Sequence, residues 1–170
     1  MTVTVSFDYK TKHTVEVDGN QHVVARAAIP ASPGLYVIRN KAQAAHVYAG
    51  TSSNLKQRFN ARFEVFRETG FVTADLAGLR IYIIKILING ASRAVNDNGI
   101  ILVNGVAFDV ENLLIRSIVA VKHCNVLNVA KWQTFSNPFN EQLDVNFLNF
   151  PHSTAYFVPG NFYMAAHHVL

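Results

Sequence analysis

"GLYVIRNKAQAAHVYAG", residues 34–50, holds two short apolar runs, each with one tyrosine, on either side of a small polar linker. The runs "GLYVI" (34–38) and "HVYAG" (46–50) read as two paired strands. The segment "SNLKQRFNARFEVFRE" (53–68) has helical periodicity, with Leu55, Phe59, Phe63 and Phe66 in one stripe and Ser52, Ser53 or Asn54 as its cap. Arg62 falls on that stripe and Arg58 at its edge one turn earlier. Side chains four apart are neighbours, so two guanidinium groups converge where a helix ordinarily buries hydrocarbon. Snorkelling to the surface accounts for a single such arginine. Two together suit an oxyanion, because guanidinium binds phosphate bidentately.

Upstream, "TVTVSFDY" (2–9) alternates Val3, Val5, Phe7 and Tyr9 on one face, which predicts a strand. "HTVEV" is expected to return antiparallel to it, and "VDGN" supplies the next turn. "PASPG" is a loop leading into the tyrosine hairpin. Downstream, "GLRIYIIKILI" (78–88) is long and apolar enough for a central strand. "NGASRAVNDNG" reads as a polar insertion with turn chemistry throughout. Asn104-Gly105 between apolar flanks is the strongest short hairpin signal in the chain. "DVENLLIRSIVAVKHC" (109–124) predicts a second helix capped by Asp109. The 89–108 insertion is open between a DNA-facing hairpin and a packing elaboration. The order of elements is an α+β pattern.

The 170 residues suit a single domain, 1–170, with a sizeable core, and 50% hydrophobic against 15% charged residues excludes a disordered chain. No apolar run approaches the roughly 20 residues of a membrane span. The start lacks an export signal and Cys124 is the sole cysteine, so a cytoplasmic location is the expectation. Nine Lys/Arg against three acids lie between Gly34 and Arg93, and no Lys or Arg follows Lys131. A basic half suits a polyanion, although a solvated basic surface gives the same composition. The aromatic tail, 132–170, suits core packing or a subunit interface better than base stacking, since cations are absent there.

Within the second helix, Leu114, Ile115 and Ile118 lie within about 60° of Glu111. An acid in an apolar stripe requires a cation, a metal or a hydrogen-bond network, or else gains from the helix dipole. A hard divalent ion such as Mg²⁺ needs only one or two protein carboxylates when phosphate oxygens complete its shell. Tyr36 and Tyr48 are ordinary as hairpin core residues. Gly50, directly before the cap of an arginine-bearing helix, offers bare backbone for a ligand or strand to approach.

Gly34-Leu35-Tyr36 and Tyr48-Ala49-Gly50, followed by Asn54-Leu55 and Arg58, resemble the GIY-YIG nuclease family. "ENLLI" with Glu111 and "VLN" ending at Asn128 are similar to its metal-binding helix and the Leu-Asn pair beyond. The similarity covers roughly residues 34–130. It implies a small β-sheet flanked by helices as the catalytic core, with 1–33 and 131–170 as flanking elaborations. It also implies a metal-dependent endonuclease, most simply a restriction or defence enzyme acting on double-stranded DNA with Mg²⁺ or Mn²⁺. By position, Glu111 is the sole side-chain metal ligand and Arg58 neutralises the attacked phosphate. Tyr36 and Tyr48 line the site, one of them helping to activate water, while Gly50, Asn54 and Asn128 support it. Lys56, Arg39, Lys41 and Arg62 are the candidate nucleic-acid contacts.

Two departures matter: Ala49 replaces isoleucine, and Arg62 stands where members often carry His or Tyr. The general base therefore stays open, with His46 a further candidate. The competing readings are a non-catalytic nucleic-acid module, a structure-specific repair nuclease, a nuclease toxin, and an interaction domain whose tail docks a partner or a second copy.

Overall fold

A computed structural model describes residues 2–18, 21–23, 29–40, 46–59, 71, 78–121, 125–128, 136–149, 153–157 and 163–168. The protein is α+β and dominated by one sheet. Strand β1 (Val3–Thr14) is followed by the short β2 (Glu16–Asp18) and β3 (Gln21–Val23), then by β4 (Gly34–Arg39) and β5 (His46–Ser52). Helix α1 (Leu55–Arg58) precedes β6 (Arg80–Ile88), β7 (Ala91–Arg93), β8 (Ile100–Val103) and β9 (Val106–Asp109). Helix α2 (Val110–Val121), β10 (Asn125–Val126), β11 (Leu143–Leu148), β12 (Ser153–Phe157) and β13 (Tyr163–His168) complete the chain. The sheet has nine strands in the order β10-β5-β4-β6-β1-β11-β12-β13, with β7 added beside β6. It is larger than the small sheet expected, because the amino-terminal strand and the tail both join it.

Each strand's burial follows its composition. In β1, Val3, Val5, Phe7 and Tyr9 are buried on one face while Thr4, Ser6 and Asp8 are half-buried on the other. The near-continuous apolar run of β6 buries Ile81 on one face and Tyr82, Ile84, Ile86 and Ile88 on the other, as a central strand requires. The expected antiparallel return of "HTVEV" is overturned. The chain runs on through Thr14 as the same strand and pairs with β6 over Val5–Asp8 and again over Thr11–Thr14, with a register irregularity between Asp8 and Thr11. Its other neighbour is β11, parallel, with Val5 opposite Val145. Asp18 of "VDGN" faces Gln21 across the paired strands β2 and β3, and the Gly19-Asn20 part of that turn signal lies outside the described residues.

The insertion after β6 is more ordered than its polarity suggests. Asn89 and Gly90 take φ of 48° and 83°, the left-handed pair that a two-residue hairpin needs, and β7 folds back so that Leu87 faces Ser92. Asn104 and Gly105, at 52° and 80°, turn β8 into β9 by the same chemistry. Asp109 then caps α2, its Oδ1 accepting the Asn112 N–H at 3.0 Å.

Two cores flank the sheet. Val110, Leu113, Leu114, Ile115 and Ile118 of α2 pack with Val47, Ala49, Leu35, Val37 and the buried faces of β1, β6 and β11. Helix α2 touches β5 and β10 at one end of the sheet and β12 and β13 at the other, so the sheet curls around it. On the opposite face, Leu55 and Phe59 pack with Tyr36, Ile38, Ile81 and Val15. Tyr36 and Arg58 belong to that second side, and Glu111 arrives from the first.

Candidate active site

The tyrosine hairpin is antiparallel, and Tyr36 lies directly opposite Gly50. Its ring crosses the bare glycine: a Cβ there would sit 2.7 Å from Tyr36 Oη and 3.0 Å from Tyr48 Cε1. The space that glycine provides is thus filled by a side chain of the site, where a ligand or strand was anticipated. Tyr48, two residues along, stacks on Tyr36 with centroids 6.3 Å apart and an interplanar angle of 28°. Phe59 meets Tyr36 edge-on at 5.0 Å, so the phenol is held on three sides.

Helix α1 begins as its sequence dictates. Asn54 Oδ1 accepts the Gln57 N–H at 3.0 Å, and the Leu55 and Lys56 N–H groups are taken by the carbonyls of Ser32 and Pro30 in the "PASPG" loop. Leu55 sits against Gly34, where a Cβ would overlap it. With Leu55 and Phe59 turned inward, Arg58 emerges beside the hairpin, and its Nε donates to Tyr36 Oη at 3.1 Å. Residues 60–70 lie outside the described residues, so Arg62 and the rest of the predicted helix do as well.

Glu111 is positioned by the edge of β5. Strand β10 pairs with β5 at His46 and Val47, and among the described residues no strand takes up the outward backbone groups farther along. Leu127 N–H bonds the Val47 carbonyl at 2.8 Å. Buried Asn128 next grips Ala49 twice, accepting its N–H at 2.9 Å and donating to its carbonyl at 2.7 Å. Two residues on, Glu111 Oε2 accepts the Thr51 N–H at 2.8 Å and the Thr51 hydroxyl at 2.7 Å. Glu111 is only 7% exposed, and this bonding is how the apolar stripe of α2 tolerates it.

Arg58, Tyr48 and Glu111 all bear electrostatically on the Tyr36 phenol. Burial pushes it up to about 12; Arg58 opposes the rise, while Tyr48 and the Glu111 carboxylate reinforce it. Both charges, one from each side of the sheet, are therefore felt at one oxygen. Tyr36 at 1% exposure is a neutral phenol throughout the physiological range, whereas Tyr48 is half-buried.

Other candidates fall elsewhere. Arg39 shares the face of Leu35 and Val37, opposite to Tyr36, at the far end of β4. His46 lies four residues from Gly50, its backbone N–H donating to Asn40 Oδ1 at 2.8 Å. Lys56 is exposed on α1. Lys41 lies outside the described residues. Thr51 is the partner of Glu111 that sequence reasoning missed; its place next to Gly50 was the available signal. Among the described residues no three His, Cys, Asp or Glu side chains cluster as a metal cage, and no helix is long and apolar enough to cross a membrane. The donor set around Glu111 is one oriented carboxylate, which fits a hard cation that keeps water and substrate oxygens and does not fit zinc. Comparisons with protein-family models, curated proteins and solved structures return no match.

Proposed function

We propose that the protein is a divalent-metal-dependent endonuclease that hydrolyses phosphodiester bonds in double-stranded DNA. The supporting observation is the Arg58 guanidinium bonded to the Tyr36 phenol where that ring crosses Gly50, with the buried Glu111 carboxylate anchored on the adjoining Thr51. A guanidinium and a buried carboxylate held at one hairpin suit a phosphate and the cation that accompanies it.

Each residue has a role its environment suits. Arg58 is fixed through Nε by Tyr36 and neutralises the charge that builds on phosphate as a water oxygen adds and a bridging P–O bond breaks. Tyr36, with its phenol near 12, is ionised in roughly one molecule in 10⁵ at pH 7. In that neutral form it braces Arg58. The half-buried Tyr48 is the tyrosine that orients the attacking water, accepting its proton while passing its own phenolic proton to solvent. Glu111, anchored on Thr51, would hold Mg²⁺ or Mn²⁺. When bound there, the ion would supply Lewis-acid stabilisation of the phosphate oxygens and would lower the pKa of water. Exposed Lys56 contributes phosphate affinity.

The test is incubation of supercoiled plasmid with the protein and Mg²⁺ or Mn²⁺. Nicking or linearisation is expected, abolished by EDTA and by Glu111→Gln, and reduced about 10²–10³-fold by Arg58→Ala. Cleavage that survives both EDTA and Glu111→Gln eliminates the proposal, as does salt-dependent binding without turnover under any divalent ion.

A further inference from the structure

The insertion between β6 and α2 reaches the carboxylate through one residue. Asn96 builds a tight turn: its Oδ1 accepts the N–H groups of Asn98 and Ile100, each at 2.9 Å, and its own N–H bonds the Ile100 carbonyl at 3.0 Å. Gly99 N–H closes the turn on the Asn96 carbonyl at 3.0 Å. Gly99 is buried at φ 75° and lies flat against Thr51, so that a Cβ would stand 2.9 Å from Oγ1 and 3.0 Å from Cγ2. Thr51 in turn gives both its donors to one oxygen of Glu111, at 2.8 and 2.7 Å.

We infer that Thr51 is a positioning residue for the metal-binding carboxylate, and that the Asn96–Ile100 turn serves the site by clamping Thr51. This rests on the nuclease reading above. The physical reasoning is that a carboxylate on a glutamate arm has several rotamers, and only a fixed one presents the same oxygen to an ion. The backbone N–H alone fixes a point. The hydroxyl adds a second bond to the same oxygen and so fixes a direction, provided the threonine rotamer is itself held. Gly99 holds it, because the left-handed backbone and missing Cβ let the turn lie on the threonine side chain. Outer bonds of this kind commonly set metal affinity to within 10–100-fold. The insertion, open between DNA contact and packing on sequence grounds, thereby acquires a function at the reacting centre.

The experiment measures Mn²⁺ binding to the full-length protein by electron paramagnetic resonance of the free ion, alongside the Mn²⁺ dependence of plasmid cleavage. Wild type, Glu111→Gln, Thr51→Val, Thr51→Ser and Gly99→Ala are compared, with thermal melts to establish folding. Thr51→Val keeps the backbone N–H and the branched shape but lacks the hydroxyl. It is expected to raise the Mn²⁺ Kd about 10-fold or more, with kcat at saturating Mn²⁺ changed much less, while Thr51→Ser stays within about threefold of wild type. Gly99→Ala should shift Mn²⁺ affinity in the same direction, and its combination with Thr51→Val should be less than additive. If wild type binds Mn²⁺ in a Glu111-dependent way and Thr51→Val binds it equally well, the positioning inference is overturned and the nuclease reading stands. If wild type shows neither Glu111-dependent Mn²⁺ binding nor cleavage, both are overturned together.

Discussion

Gly50→Ala puts the packing of the tyrosine cluster to a direct test. The added methyl would lie 2.7 Å from Tyr36 Oη, 2.8 Å from its Cζ and 3.0 Å from Tyr48 Cε1. Carbon atoms prefer roughly 3.5 Å or more, so the Tyr36 ring must retreat by about 0.7 Å. It has nowhere to go: Phe59 stands edge-on at 5.0 Å, Tyr48 is stacked at 6.3 Å, and the ring is 1% exposed. Overpacking of this kind costs about 1–3 kcal/mol. Misaligning the 3.1 Å bond from Arg58 removes about 1 kcal/mol more. A total near 3 kcal/mol corresponds to a fall of about 6–12 °C in Tm for a domain of this size. Gly34→Ala is a second overpacking variant in the same hairpin, whose methyl would overlap Cδ1 of the buried Leu55 and stand 3.1 Å from its Cγ without meeting either tyrosine. Differential scanning calorimetry of the two variants and wild type decides the matter. A Gly50→Ala melt within about 1 °C of wild type refutes the reasoning.

Asn128→Ala strips Ala49 of partners for both its N–H and its carbonyl inside the protein, and urea denaturation should show a loss of about 2–4 kcal/mol. Glu111→Ala leaves the Thr51 N–H without its acceptor and should cost about 1–3 kcal/mol, whereas Glu111→Gln retains an acceptor and should cost less while still abolishing cleavage. His13 is buried with Nε2 lacking a hydrogen-bond partner among the described residues, and burial lowers its pKa below 6.5. The unfolded chain therefore takes up a proton before the folded one does. Stability should fall as pH drops through about 6.5, by at most about 1.4 kcal/mol per pH unit, and His13→Leu should flatten that limb in denaturation curves taken from pH 7.5 to 5. Lys56→Ala should weaken binding to all duplex sequences alike and reduce the salt slope of DNA affinity by about one, measured by fluorescence anisotropy with Mg²⁺ replaced by Ca²⁺.

What the sequence made legible was local. The tyrosine hairpin, the Asn54 and Asp109 caps and the Asn104-Gly105 turn depend on neighbours within a few residues, and each stands where its chemistry put it. The parallel pairing of β1 with β11 joins residues about 140 apart, and no periodicity carries that information. The same blindness misplaced "HTVEV". Its composition suits a strand in either arrangement, and only the waiting edge of β6, with Ile81 opposite His13, decides that the chain continues. At the site, the anomaly of Glu111 in an apolar stripe was visible, because burial of an acid is costly in any fold. Its partner Thr51 was not, because a lone sequence does not tell which strand edge a carboxylate will meet.

That edge also explains why the cluster stands where it does. A strand at the margin of a sheet carries donors and acceptors that must be satisfied. Along β5 they are satisfied first by a strand, then by one loop N–H, then by the amide of Asn128, and finally by the carboxylate of Glu111. The partner thus changes from backbone to neutral side chain to charged side chain over six residues, from His46 to Thr51. A further residue pair of β10 would have occupied the edge with peptide groups and left no place for an acid. Because the strand stops early, the fold's own need for an acceptor at Thr51 draws a carboxylate to the residue that follows Gly50, where the Tyr36 ring crosses the hairpin. One residue thereby meets a structural requirement and a chemical one. The pair of Glu111 substitutions above separates the two, since glutamine answers the first and not the second.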